Sequence, residues 1–138
     1  MNVSNSQILK TFLNQFSEFL EDILRIFPYD EDLVTAKVYF DGIRKINPRL
    51  IIHYWKYLIS QKYDSEVESE NINFFIEKDY VNDIEDIAMQ RSWEGDYSYI
   101  NEKINIIRNS VRKQDESNKK ITMKYIINLT RLSKLYNY

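Results

Sequence analysis

The chain has no cysteine, one histidine, two glycines and two prolines among its 138 residues. Without cysteine there is no disulfide framework, no thiolate zinc site and no cysteine nucleophile, which suits a reducing compartment. So few glycines and prolines disfavour turn-rich all-β folds and glycine-rich phosphate loops, and favour long helices with short connections. The single histidine, His53, cannot build a histidine-rich metal site. Long apolar runs are missing too, so no segment is expected to span a bilayer as a helix. Met1-Asn2-Val3-Ser4-Asn5 lacks a basic stretch leading into an apolar one, so no secretory signal is expected. A cytoplasmic protein is expected.

What is present is a helical pattern. Hydrophobic residues make up 43% of the chain and charged residues 29%, enough for one domain over residues 1–138 with a core that needs no staples. Ile8, Phe12, Phe16, Phe19, Leu20, Ile23 and Phe27 recur at three- and four-residue spacing, and Pro28 stops that helix. Asp30 is a natural N-cap for a second helix carrying Leu33, Ala36, Phe40 and Ile43 inward, antiparallel to the first. Gly42 within it is expected to permit close helix approach. Asn47-Pro48 reads as the start of a third helix, with Leu50, Ile51, Tyr54, Trp55, Leu58 and Ile59 on a broad apolar face.

The acidic residues Asp64, Glu66, Glu68 and Glu70 suggest a mobile connection over Asp64–Asn71. A short helix from Ile72 and a weak one over Val81–Arg91 follow, and Gly95-Asp96 marks a break. Ile100, Ile104, Ile107 and Val111 restart a helical period. Ser117-Asn118 is expected to cap a last helix with Ile121, Tyr125, Leu129, Leu132 and Tyr136 inward. The expected fold is all-α, a compact bundle of five or six helices.

Charge is distributed unevenly. Residues 1–100 carry 10 Lys and Arg against 18 Asp and Glu, whereas residues 101–138 carry 9 against 3. Lys120, Lys124, Arg131 and Lys134 fall within an arc of roughly 80° at helical spacing, and Arg108 and Arg112 form a second pair one turn apart. Such a stripe can track phosphates, so nucleic acid is one possible partner. The acidic balance of the first hundred residues opposes it. Ile127 falls inside the basic arc and Met123 lies near it, and apolar groups rimmed by cations mark protein contacts. A protein partner or self-association is therefore the preferred reading.

Catalysis finds little support. Asp79, Asp83 and Asp86 align on a helix, but catalytic carboxylates normally converge from different elements around a pocket. A solvated acidic face is the expectation. His53 lies beside Lys56 and Ser60, away from the apolar face, and no partner for a dyad is evident. The aromatic residues, Phe12, Phe16, Tyr54 and Tyr125 among them, read as core filling. No catalytic residue, metal ligand, cofactor or small-molecule substrate is identified.

Ile43–Tyr80 contains Arg44-Lys45-Ile46-Asn47-Pro48-Arg49, Trp55-Lys56-Tyr57 and Phe74-Phe75-Ile76-Glu77-Lys78-Asp79-Tyr80. Asn118-Lys119 later leads to Tyr125-Ile126-Ile127 and Leu129-Thr130-Arg131-Leu132-Ser133. These stretches resemble small, mostly uncharacterised proteins of nucleocytoplasmic large (giant) DNA viruses. The resemblance implies a helical fold and a viral origin, hence host cytoplasm or virion. It carries no activity, cofactor or catalytic residue.

Overall fold

The computed structural model describes residues 3–91 and 97–138. Helix α1 (Asn5–Ile26) opens with a reciprocal cap: the Ser4 hydroxyl accepts from the Gln7 N–H, and the Gln7 side chain accepts from the Ser4 N–H. Its apolar stripe buries Ile8, Phe12, Leu13, Phe16, Phe19, Leu20 and Ile23. Asp30 caps α2 (Glu31–Ile46) by accepting from Leu33 N–H at 3.1 Å, and Leu33, Ala36 and Phe40 face inward. Arg44 reaches back to Asn14 and Ser17, which fixes the two helices antiparallel. Gly42 does not serve close approach. A Cβ added there would meet nothing within 4 Å.

Asn47 ends α2 rather than starting the next helix. The residue before proline is pushed away from the α region, so the chain makes a turn closed by Leu50 N–H on Asn47 O at 3.1 Å. Helix α3 (Leu50–Trp55) begins after it, with no side-chain cap, and runs directly into a π-helical turn over Lys56–Ser60. With i→i+5 bonding, residues five apart come round toward the same side. Trp55 and Ser60 do so here: the indole N–H donates to Thr130 at 3.0 Å and the Ser60 hydroxyl bonds that of Ser133.

The acidic stretch contains a short helix, α4 (Asp64–Glu68), whose Val67 is buried in the core. Asn71 N–H on Glu66 O and Glu70 N–H on Val67 O close it in a Schellman arrangement. Glu70 therefore sits at φ 55°, where glycine is usually found. Asn71 caps α5 (Ile72–Glu77), and α6 (Val81–Arg91) follows. The expected break at Gly95-Asp96 lies outside the described residues. Helices α7 (Tyr97–Arg112) and α8 (Glu116–Leu135) complete the chain. Asp115, not Ser117 or Asn118, caps α8, accepting from Asn118 N–H at 2.8 Å.

The protein is all-α, with eight α-helices and no strand among the described residues. That is more than five or six, because α4 and α5 are each little more than one turn. Helix α1 packs most extensively against α8. The main core runs between them from Phe12, Phe16 and Leu20 to Leu129 and Ile126, with Trp55 wedged edge-on to Phe12 and Phe16. A satellite core of Leu58, Tyr80, Ile84 and Ile87 joins α6 to the π-turn.

Candidate functional site

The buried face of α8 carries Thr122, Met123, Ile126, Leu129, Thr130 and Ser133. It is turned from the expected one. Ile121 is 45% exposed, while Met123, taken as an interface candidate, is 3% exposed and belongs to the core. The three hydroxyl residues tolerate burial because each hydroxyl is paired. Thr122 donates to Gln114 at 2.8 Å, Thr130 accepts from Trp55 and donates to Ile126 O, and Ser133 donates to Thr130 O.

Turning the helix leaves Lys120, Lys124, Arg131 and Lys134 exposed along one side, as their spacing predicts. Lys124, Ile127, Asn128, Arg131 and Lys134 form one wall of a groove of about 370 Å³. Val67, Glu68 and Glu70 form the opposite wall. Lys134 closes one end by pairing with Asp64 across the groove. Among the described residues, Lys120, Lys124 and Arg131 hold no ion pair. Of the four, Lys134 thus meets a carboxylate of its own molecule, and only that part of the asymmetry read from the sequence is neutralised internally.

Arg108 and Arg112 are engaged elsewhere. Arg108 donates twice to Ile76 O, at 3.1 and 2.9 Å, and once to Asn105; Arg112 donates to the same carbonyl at 3.1 Å. Two guanidinium groups so placed compensate the negative end of α5. They are a cap for that helix rather than a second phosphate pair. The acidic trio is likewise divided. Asp79 accepts from Val81 N–H at the start of α6, and it and Asp86 are exposed.

Asp83, expected on a solvated face, is 6% exposed. It accepts from Lys62 at 2.9 Å and from the Tyr63 hydroxyl at 2.8 Å, with Lys78 at 3.5 Å. Burial alone would raise its pKa; the hydrogen bonds of Lys62 and Tyr63 and the charges of Lys62 and Lys78 together hold it below the usual carboxylate value. Lys62 and Tyr63, 21 and 20 positions earlier in the sequence, gave no local signal of this cluster. His53 lies among aromatic rings, 5.0 Å from Tyr138 and 6.4 Å from Tyr136. No group of three or more metal-binding side chains occurs among the described residues.

A second concavity was not foreseen. Where the main and satellite cores meet, they leave a half-open apolar chamber of about 140 Å³. Six α-helices and the π-turn contribute, through residues such as Phe16, Phe40, Tyr54, Phe75, Ile104 and Ile126, and almost no polar atom reaches the wall. The one sequence signal was the breadth of the apolar face on α3, wider than its neighbours fill.

No protein-family model, curated protein or solved structure matches the chain. No helix among the described residues is long and apolar enough to cross a membrane.

Proposed function

We propose that the protein is a non-enzymatic interaction protein whose α4–α8 groove docks against the same groove of a second copy. The observation that carries this reading is the groove's two signs of charge: Lys124 and Arg131 on one wall, Glu68 and Glu70 on the other. A two-fold axis through the groove sets the cations of each copy against the carboxylates of its partner, with Ile127 between them as an apolar contact. Glu70 supports the same reading. It holds a charged side chain at a left-handed φ that glycine would adopt without cost, and such departures gather at binding sites. A viral source is part of the reading and rests on the resemblance alone.

Light scattering across a concentration series tests the docking. The expected result is a dimer that dissociates in the double variant Lys124→Glu, Arg131→Glu. Mixing that variant with Glu68→Lys, Glu70→Lys chains should restore a heterodimer. A monomer at every concentration, or a dimer indifferent to these changes, overturns it.

The runner-up is accessory nucleic-acid binding, favoured by the unpaired Lys120, Lys124 and Arg131. The nearby Glu68 and Glu70 repel phosphate, which places it second. Binding of a mixed-sequence oligonucleotide that weakens steeply with salt would promote it.

A further inference from the structure

We infer that the chamber between the two cores is a binding site for a compact, uncharged, apolar molecule about the size of an aromatic ring. Ile59 and Ile104 pack against both cores, yet each is only partly buried, because the cores flank the chamber without merging. Ile107, one turn beyond Ile104, also keeps part of its surface open and lines the same wall. Helix α7 therefore presents part of its apolar stripe to this space as well as to packed side chains.

Chemistry decides the occupant. A water held in a protein needs two to four polar partners. Here the wall is almost wholly apolar, and of its polar residues Thr122 is paired with Gln114, Trp55 with Thr130, and Arg108 with Ile76 O and Asn105. A charged ligand would surrender its hydration with nothing to replace it. An apolar one surrenders little and gains contacts along the apolar wall. At about 140 Å³, the space matches the scale of engineered apolar cavities, roughly 150 Å³, that take up benzene.

The test is a toluene titration of protein labelled at the isoleucine methyl groups, followed by NMR, with benzoate as the charged control. Toluene should give saturable shifts at Ile59, Ile104 and Ile107, and none at Ile121, which is exposed on α8. Benzoate should move none of them. Ile104→Phe should fill the chamber, keep the melting temperature at or above that of the parent, and abolish the response at Ile59 and Ile107. No response of the chamber methyls up to the solubility limit of toluene overturns the proposal, as does an unchanged response in Ile104→Phe. Ile107→Phe serves as the second filling variant, and failure of both to fold also overturns it, since an open chamber accommodates a phenyl ring. Neither outcome depends on the α4–α8 groove.

Discussion

Gly42 sits inside α2 with nothing within 4 Å of where its side chain would begin. Glycine there leaves the unfolded chain more freedom to lose and adds no packing in return. Gly42→Ala is therefore expected to stabilise the protein by about 1 kcal/mol, read as a rise of roughly 3–5 °C in melting temperature. Asp83 is the opposite case, a buried charge bound to Lys62, Lys78 and Tyr63. Asp83→Asn removes one partner and leaves the others facing an amide, which should cost about 2 kcal/mol at neutral pH. Because the folded carboxyl titrates below its unfolded value of about 4, its stabilisation is complete above that pH and is lost as pH falls through the lowered value. Denaturant titrations of parent and variant should thus converge toward acid. A penalty equally large at pH 3 and pH 7 would contradict the assignment.

Among the elements, α4 shows how a short helix is held. One turn has little intrinsic stability, and this one is secured by the buried Val67 and the Schellman closure through Glu70 and Asn71. Glu70→Gly should relieve the left-handed strain and raise stability by about 1 kcal/mol, while removing a carboxylate from the groove wall. Calorimetry and light scattering on the same variant should then move in opposite directions, the fold firmer and the dimer weaker. Helices α1, α2 and α7 were legible from the sequence because their apolar positions keep the helical period. The face of α8 was not. Its inward side is partly Thr and Ser, which read as polar until Trp55, Gln114 and Ser60 come within bonding distance. Helix α4 escaped notice for a related reason: its acidic residues suggested a solvated linker, and only Val67 marked an inner side.

At the scale of the molecule, the sequence made the all-α class plain, since little in it turns sharply and nothing alternates. It also located the exposed cations of α8. It did not reveal what they face, because the opposing Glu68 and Glu70 lie more than fifty residues earlier in the chain. The chamber was hidden for another reason: periodicity names the residues that turn inward but not whether they fill the space they share. The pairing of α1 with α8 has a further consequence, for the order in which the molecule can form. Asp22 meets Tyr125 across 103 positions, and Asn5 meets Asn137 across 132. Contacts so distant require closing nearly the whole chain before they repay the lost freedom, which slows folding relative to bundles built from neighbouring helices. During synthesis the phenylalanines of α1 leave the ribosome well before α8 is made, so their exposure while the chain is being made is set by translation speed.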